Sequence, residues 1–373
     1  MIKIGITGQS GFVGTHLFNT LGLHPDKFER VEFLNDFFLD DMALQAFVKS
    51  CDVIVHLAAK NRHTDPEVIY NTNIGLVKQL IAACEATKST PHILFSSSTQ
   101  EERDNLYGKS KKEGRQLLEQ WARNNKAQFT GLIIPNVFGP FGHPYYNSVV
   151  ATFCYQLTHN ETPKIEIDGE VKLIYVNELV NYIIAQITNH VSRITNHIIP
   201  NTSTIRVSDL IKKLAKYKSN YFENGEIPII DTQFDRDLWN TLLCYLDHES
   251  FFPFHLKLNS DNRGSFVEIV KLNSGGQISF STTVPGITRG NHFHTRKAER
   301  FAVIKGKAII ELRRIGTDKV MTFELDGTQP SFVDIPIWHT HNISNVGDEE
   351  LFTVFWISEH FDSEDTDTYL EKV

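Results

Sequence analysis

Tyr107 and Lys111 form a pair that could deliver a proton to a carbonyl oxygen. They are four positions apart, about one helical turn, so a helix would place both on one face. A phenol is a weak acid at neutral pH, and we expect the Lys111 ammonium to lower the pKa of Tyr107. Tyr107 would then protonate the oxygen of a ketone while a hydride reaches its carbon. Ser98 precedes this pair at the end of an apolar run and could hydrogen-bond the same oxygen.

A glycine-rich turn near the start of the sequence could hold a phosphate. The first apolar run ends in Thr7-Gly8-Gln9-Ser10-Gly11-Phe12-Val13-Gly14, and a helical pattern follows at once. Glycines there let the backbone turn tightly and approach a pyrophosphate at the helix N-terminus. The spacing is G-x-x-G-x-x-G, which alone is equally compatible with a purely structural turn. Small residues in Leu57-Ala58-Ala59, after another apolar run, would let a cofactor lie over the sheet edge.

Histidines in the last third of the sequence could bind a metal ion. His292 and His294 are two residues apart, so a strand would project both to one side, and Glu299 follows shortly after. Imidazoles and a carboxylate that converge suit Zn²⁺, Fe²⁺ or a similar ion. A further ligand could come from His341 or from His339, because these two share a strand face. The alternative is a barrel whose metal is only structural.

The elements that would position these residues differ between the two parts of the chain. In the first half, strand-like and helix-like segments alternate at residues 2–7, 12–21, 52–58, 71–87, 92–95, 106–126 and 130–134. The strand segments are unbroken apolar runs, which are typical of strands buried on both faces of a parallel sheet. We therefore expect an α/β domain built on a Rossmann-type, doubly wound parallel sheet.

After about residue 245, short strand-like segments separated by turn residues replace the helical patterns. They lie at residues 264–270, 277–281, 301–304, 308–312, 320–325, 331–335 and 351–357. Such spacing favours an all-β antiparallel sandwich or barrel. The change of pattern between Asp247 and Pro253 predicts two domains, residues 1–245 and residues 252–373.

Composition excludes several classes of protein. The chain has 373 residues with 37 Lys plus Arg against 45 Asp plus Glu, a formal charge of −8, which argues against a nucleic-acid partner. No segment approaches the roughly 20 apolar residues of a membrane span, so no membrane partner is expected. The four cysteines are scattered without metal-binding spacing. We expect a cytoplasmic protein in a reducing compartment.

The glycine turn, Ser98 and the Y-x-x-x-K pair, in this order, resemble the extended short-chain dehydrogenase/reductase family over about residues 1–240. Further similarities are Asn73, the turn Pro135-Asn136-Val137-Phe138-Gly139-Pro140 and the segment Ile174 to Val180; Ile134 stands where an Arg is frequent. The resemblance implies that Ser98, Tyr107 and Lys111 are catalytic. The cofactor-binding residues it implies are Gly8, Gly11, Gly14, Phe12, Val13, Leu57, Ala58, Ala59, Tyr107 and Lys111. Residues 31–41 contain neither a clear ribose-binding Asp nor a 2′-phosphate-binding Arg, so NADPH and NADH both stay open.

The segment from Gly286 to Gly306 matches the first motif of the cupin family, and residues 255–373 resemble that family as a whole. The second motif corresponds to Pro336 to Asn345, with Trp338 where the family has glycine. The resemblance implies a double-stranded β-helix barrel. It implies Zn²⁺ or another divalent metal, with the ligands His292, His294, Glu299 and His341.

A reductase followed by a cupin resembles the CapF type of bifunctional capsular polysaccharide synthesis enzymes, and the similarity extends over nearly the whole chain. It implies a UDP-linked 4-keto-6-deoxy amino sugar as substrate, C3 epimerisation in the cupin domain, and NADPH-dependent reduction of the C4 ketone in the reductase domain. The implied product is UDP-2-acetamido-2,6-dideoxy-L-talose, and a homodimer is expected. The alternative is a reductase alone, with the cupin barrel as a structural or dimerisation domain. A protein that binds a sugar nucleotide without turnover is disfavoured by Ser98, Tyr107 and Lys111.

Overall fold

The computed structural model describes residues 1–188 and 193–373. The helices are α1 (Phe12–Gly22), α2 (Asp41–Ser50), α3 (Pro66–Thr87), α4 (Leu106–Asn125), α5 (Val149–Thr158), α6 (Val176–Thr188), α7 (Val207–Asn224), α8 (Gln233–Leu243) and α9 (His248–Phe251). Short 3-10 helices cover Asn35–Leu39 and Thr99–Glu102. The strands up to residue 255 are β1 (Ile2–Thr7), β2 (Phe28–Val31), β3 (Val53–His56), β4 (His92–Ser98), β5 (Phe129–Ile134), β6 (Asn136–Phe138), β7 (Glu170–Tyr175), β8 (Ile194–Ile198), β9 (Ser203–Arg206), β10 (Glu226–Ile227) and β11 (Phe254–His255). The later strands are β12 (Asn259–Asp261), β13 (Gly264–Phe266), β14 (Lys271–Leu272), β15 (Gln277–Thr283), β16 (Thr288–Phe293), β17 (Glu299–Lys305), β18 (Lys307–Arg314), β19 (Val320–Asp326), β20 (Ser331–Ile335), β21 (His339–Asn345), β22 (Leu351–Ile357) and β23 (Tyr369–Leu370).

A parallel sheet forms the centre of the first part of the chain, in the order β2-β1-β3-β4-β5-β8. Every neighbouring pair in it is parallel. The predicted doubly wound parallel sheet is therefore confirmed. The chain passes from one side of β1 to the other between β2 and β3, and such a switch point is where α/β sheets bind their ligands.

Both faces of this sheet are buried, which explains why its strands are apolar without alternation. Ile54 and Ile93 pack in a core cluster with residues of α2, α3 and α4. Val53 and Val55, the neighbours of Ile54, pack on the opposite face with residues of α1 and α6. Successive side chains of one strand point to opposite faces, so a strand covered on both sides needs apolar residues at every position.

Antiparallel sheets dominate the last part of the chain, as the sequence predicts. Their orders are β11-β20-β17-β22-β15 and β19-β18-β21-β16-β23. The prediction of one strand over 264–270 is wrong in its extent, because β13 ends at Phe266. It pairs with β12 in a hairpin of three residues on each strand, all of them exposed, and the pairing does not continue beyond Phe266.

By internal contacts the chain divides into two compact units. The N-terminal unit comprises residues 1–149 and 169–206, and the C-terminal unit comprises residues 150–168 and 207–373. Helices α7, α8 and α9 thus lie in the same compact unit as the antiparallel sheets. The boundary between residues 245 and 252, which the sequence pattern predicts for the two family domains, stays a prediction.

A buried charge network ties α7 to the antiparallel sheets inside the C-terminal unit. Arg300 of β17 is 1% exposed and makes two bonds to the Asp334 carboxylate, 2.7 Å from Nε and 2.9 Å from a terminal nitrogen. Its other terminal nitrogen donates to the carbonyl of Gly225, just after α7, at 2.7 Å. The Tyr221 hydroxyl of α7 donates to Asp334 at 2.5 Å. A buried guanidinium is tolerated here because a carboxylate and a carbonyl satisfy it.

Among the helices of residues 1–188 and 193–373, none is both long enough and apolar enough to cross a bilayer.

Candidate functional site

The glycine turn in the N-terminal unit is a cradle of backbone atoms. Gly8 has a φ of +74°, a conformation that favours glycine. A Cβ at Gly8 would lie 2.8 Å from the backbone nitrogen of Ala58, and a Cβ at Gly14 would lie 2.2 Å from the carbonyl oxygen of Gly8. Side chains are therefore excluded at both positions, and the end of β1, the start of α1 and the end of β3 approach one another closely.

The start of α1 has the properties of an anion-binding site. Gly11 is the N-cap residue and provides no side-chain hydrogen bond to the helix. The N–H groups of the first turn, including those of Phe12 and Val13, have no partner within the helix and attract negative charge. Beside them, the N–H of Leu57 donates to the Thr7 carbonyl at 3.1 Å. A cradle without side chains at the end of a helix fits the pyrophosphate of a dinucleotide.

Ser98, Tyr107 and Lys111 come together at the end of β4 and the start of α4. The Asn105 side chain caps α4 by accepting the N–H of Gly108 at 2.7 Å, which fixes the first turn that carries Tyr107. The Ser98 hydroxyl lies close enough to the Tyr107 phenol to lower its pKa, and it accepts the backbone N–H of Gln100 at 3.2 Å. Lys111, 4% exposed, lies one turn later with its Nζ 5.9 Å from the centre of the Tyr107 ring. The structure thus brings the predicted catalytic residues into one group.

The predicted effect of Lys111 on Tyr107 is not what the structure shows. Burial raises the pKa of Tyr107 to about 12, against the lowering effect of the Ser98 hydrogen bond. The Lys111 ammonium donates instead to the Ser96 carbonyl at 2.9 Å. Burial lowers the pKa of Lys111 to about 8, and the Glu101 carboxylate opposes that shift. Desolvation therefore outweighs the effect of Ser98 at Tyr107 and the attraction of Glu101 at Lys111.

Glu101 and Arg115 form a buried ion pair behind Lys111. Arg115 donates two hydrogen bonds to the Glu101 carboxylate, at 2.9 Å from Nε and 2.7 Å from a terminal nitrogen. The Ser97 hydroxyl donates to the same carboxylate. Sequence analysis missed this pair, although Arg115 follows Lys111 by one helical turn and so continues the face that carries Tyr107.

Tyr146 is a second phenol near Tyr107 that the sequence did not point to. Its hydroxyl accepts the N–H of Asn61 at 3.3 Å, and its electrostatic interaction with Tyr107 contributes to the raised pKa of that residue. Arg62 donates to the backbone carbonyls of Tyr145 and Tyr146 and holds their loop. Tyr146 belongs to no recognisable motif, so contact in the fold is the signal that identifies it.

Asn73 of α3 holds the segment that follows β3. Its side-chain oxygen accepts the N–H of Lys60 at 2.7 Å, and its side-chain nitrogen donates to the Lys60 carbonyl and to Ser110, each at 3.1 Å. The buried amide therefore links the segment after β3 to the helix that carries Tyr107.

In the C-terminal unit, four side chains predicted from sequence converge on one point. Oε2 of Glu299 lies 3.2 Å from Nε2 of His294 and 3.1 Å from Nε2 of His341. The rings of His292 and His341 have centroids 4.5 Å apart, and those of His292 and His294 are 5.0 Å apart. A bulge at Asn291, whose φ is +60°, interrupts the pairing of β16 just before His292. Bulges commonly direct side chains at such sites.

The donor atoms of this cluster fit a metal ion. His294 Nε2, His341 Nε2 and Glu299 Oε2 are buried, and none makes a well-aligned hydrogen bond, although the oxygen lies within 3.2 Å of both nitrogens. Hydrogen bonds elsewhere fix the opposite ring nitrogens: Nδ1 of His294 donates to the Asp367 carbonyl at 2.5 Å, and Nδ1 of His341 lies 3.4 Å from the His339 carbonyl. Imidazoles held in this way present Nε2 to a shared point, which is typical of metal ligands.

The charges of the cluster also suit a cation. Burial opposes ionisation of Glu299, but the adjacent His294 and His341 hold its pKa far below the usual range. Burial, helped by His341, lowers the pKa of His292 to about 4, so this imidazole is neutral. At His294 burial is outweighed by the interaction with the Glu299 carboxylate, which raises the pKa. An ionised carboxylate among imidazoles is a donor set that Zn²⁺ and similar ions prefer.

His339, the alternative ligand, packs against His248 instead of joining the Glu299 cluster. Its ring packs on His248 with centroids 5.6 Å apart, and its Nδ1 donates to the Ile337 carbonyl at 3.0 Å. The adjacent Trp338 has a φ of +59°, the left-handed region that favours glycine, and its buried ring stacks on Phe293 with centroids 5.7 Å apart. The tryptophan therefore retains the backbone conformation for which the cupin motif uses glycine.

Two family models match the chain. Residues 4–199 match the NAD dependent epimerase/dehydratase family, and residues 259–369 match the polysaccharide biosynthesis C-terminal domain. A curated relative from Pseudomonas aeruginosa, UDP-2-acetamido-2,6-beta-L-arabino-hexul-4-ose reductase, is 33% identical over 99% of this chain and 98% of its own length.

Solved structures are similar as well. The capsular polysaccharide assembling protein CapF from Staphylococcus aureus is 33% identical, covers 100% of both chains and has a TM-score of 0.63. The UDP-glucose 4-epimerase of Thermotoga maritima, 18% identical over 65% of this chain with a TM-score of 0.56, shares the fold. The chain belongs to the NAD dependent epimerase/dehydratase family and, within it, to the CapF type of enzyme that carries a polysaccharide biosynthesis C-terminal domain.

Proposed function

We propose that the chain is a bifunctional UDP-sugar enzyme of capsule or O-antigen precursor synthesis. It epimerises C3 of a UDP-2-acetamido-2,6-dideoxy-4-ketohexose and then reduces the C4 ketone with NADPH. The product is UDP-2-acetamido-2,6-dideoxy-L-talose, on the route to UDP-N-acetyl-L-fucosamine. The observation that carries the proposal is the group of Ser98, Tyr107 and Lys111 beside the glycine turn, and the name of the Pseudomonas aeruginosa relative supports the substrate class.

Reduction needs a hydride at C4 and a proton at the C4 oxygen. The nicotinamide supplies the hydride when it is bound. Tyr107 has a pKa raised to about 12, so it is the protonated phenol at neutral pH and can donate that proton. Ser98, whose hydroxyl is close enough to Tyr107 to affect its pKa, holds the same oxygen in place. Lys111, with its Nζ 5.9 Å from the centre of the ring, supplies a positive charge beside the phenolate that remains after transfer, whereas in the resting site burial and not this charge sets the pKa of Tyr107.

Epimerisation uses the acidity that the ketone gives to the C3 proton. Removal of that proton leaves an enolate with its charge on the C4 oxygen, and return of a proton to the opposite face inverts C3. A divalent metal held by His292, His294, Glu299 and His341 would supply Lewis acidity toward that oxygen. The chain itself contributes a buried carboxylate at Glu299, which is kept ionised by the imidazoles of His294 and His341.

The two activities separate in D₂O. We expect the 4-keto substrate without NADPH to gain deuterium at C3 by proton NMR, and added NADPH to be oxidised with formation of one talose-configured product. His292→Ala should abolish exchange but leave reduction of the epimerised ketone, whereas Tyr107→Phe should do the reverse. NADPH oxidation without exchange would support a reductase with a structural barrel. If neither occurs, the proposed substrate is wrong.

A further inference from the structure

The segment of residues 365–371, here named the C-terminal strap, lies along β16, which carries the proposed metal ligand His292 and ends just before the second ligand, His294. Its strand β23 pairs with the end of β16, placing Tyr369 opposite Phe293 and Leu370 opposite His292. The Tyr369 ring stacks on Phe293 with centroids 5.3 Å apart. The strap is therefore the direct neighbour of the metal-binding strand.

Asp367 fixes the strap to the loop that follows His294. Its carboxylate accepts the backbone N–H groups of Thr295 at 3.1 Å, Arg296 at 3.0 Å and Lys297 at 3.2 Å. It also accepts the Thr295 hydroxyl at 2.6 Å. The residue is 4% exposed, and its φ of +44° is a conformation that L-residues rarely adopt. Four donors on one buried carboxylate make a strong, directional anchor.

The backbone of the same residue contacts the cluster. The Asp367 carbonyl accepts a hydrogen bond from Nδ1 of His294 at 2.5 Å. Because a carbonyl oxygen can only accept, that bond places a ring proton on Nδ1 and turns Nε2 toward Oε2 of Glu299, 3.2 Å away. Because the carboxylate and the carbonyl both belong to Asp367, the hydrogen bonds of the carboxylate fix the position at which the carbonyl accepts the His294 N–H.

We propose that Asp367 is a positioning residue of the metal centre: its carboxylate holds the strap on residues 295–297 so that its own carbonyl sets the tautomer and orientation of His294. The inference rests on the proposed metal site. Loss of an outer-shell partner of a metal-bound histidine usually lowers metal affinity by about 10- to 100-fold.

The test measures metal binding by the full-length protein, with Zn²⁺ or Co²⁺ alone as the probe. Zn²⁺ affinity comes from competition with a chromophoric chelator, and the visible absorption of bound Co²⁺ reports ligand geometry. We expect Asp367→Ala to weaken Zn²⁺ binding by about 10- to 100-fold and to alter the Co²⁺ spectrum. Asp367→Asn, which keeps one acceptor oxygen, should lose less.

Asp365→Ala is the matched control. It removes a carboxylate from the same strap, but Asp365 pairs with the Arg296 side chain at 2.7 Å and its side chain is 62% exposed. This variant should keep wild-type affinity and spectrum. Circular dichroism of the metal-free proteins checks folding, and if Asp367→Ala does not fold, Asp367→Asn decides. Wild-type affinity and spectrum in the folded Asp367 variants would overturn the positioning role. Absence of Zn²⁺ and Co²⁺ binding in the wild-type protein would instead refute the metal centre itself.

Discussion

The backbone N–H of Trp338 donates to the carbonyl of His294 at 2.7 Å, which joins the turn before β21 to the end of β16. Trp338 makes this bond from a left-handed conformation, with a φ of +59°. A non-glycine residue in a sparsely populated conformation costs about 1–3 kcal/mol. The ring that offsets this cost is 3% exposed and stacks on Phe293.

Replacing Trp338 by glycine should destabilise the C-terminal unit. The substitution removes the backbone strain, but truncation of a buried aromatic side chain typically costs about 3–5 kcal/mol. The net loss should be about 2 kcal/mol, seen as a lower denaturant midpoint when unfolding is followed by far-UV circular dichroism. Trp338→Phe, which retains a ring, should lose less. A midpoint for Trp338→Gly at or above that of the wild type would show that strain outweighs packing.

Tyr107→Phe should lower kcat for NADPH oxidation by about 100- to 10,000-fold, because it removes the proton donor and leaves the ring. Deuterium exchange at C3 should be unchanged. The control is Tyr70→Phe, which removes the hydroxyl of a tyrosine that donates to Glu113. Equal rates for Tyr107→Phe and the wild type would exclude Tyr107 as the acid.

The reduction rate should fall on the alkaline side as Lys111 loses its charge, since its pKa is lowered to about 8 by burial. Glu101 raises the pKa of Lys111, so Glu101→Gln should move this alkaline limb to lower pH. The measurement is kcat from about pH 6 to about pH 10. Glu102→Gln, next in sequence and exposed, is the control. An unshifted limb in Glu101→Gln would contradict the coupling.

His56 should make the fold sensitive to acid. It is 1% exposed, and burial together with Lys111 lowers its pKa from 6.5 to about 3. The unfolded chain therefore binds more protons between these values, so the contribution of His56 to stability is present above pH 6.5 and is lost as pH falls toward 3.

The change in slope is the measurable consequence. Between those pH values, the free energy of unfolding of His56→Gln should depend less steeply on pH than that of the wild type, by up to about 1.4 kcal/mol per pH unit for one proton. The control is His143→Gln, because His143 is exposed. Parallel curves for the wild type and His56→Gln would refute a buried neutral imidazole.

The sequence allowed prediction of features that follow from local spacing. Unbroken apolar runs predicted the parallel sheet because both of its faces are covered, and the Y-x-x-x-K spacing predicted that Tyr107 and Lys111 share a helix face. Likewise, the i, i+2 spacing predicted that His292 and His294 lie together, and their ring centroids are 5.0 Å apart, although a bulge before His292 modifies the regular strand. These patterns depend only on the periods of helix and strand.

Features that depend on distant contacts were not predictable in this way. Burial, which raises the pKa of Tyr107, depends on the surroundings and not on the spacing to Lys111. Asp367 follows His294 by 73 residues, and nothing in either segment indicates that they meet. Only the path of the chain in three dimensions reveals such partners.

The Tyr221–Asp334–Arg300–Gly225 network bears on how such enzymes could exchange modules. A chimaera joined near residue 250 would take its helix α7 from one parent and its β17 and β20 from the other. Asp334 and Arg300 would then pack against a helix from the other parent. If that helix lacks a hydroxyl at position 221 or places the carbonyl of residue 225 differently, the buried side chains of Asp334 and Arg300 lose these hydrogen-bond partners. The recombinable cassette thus consists of residues 150–168 and 207–373, so a viable graft needs three crossover points, after residues 149, 168 and 206.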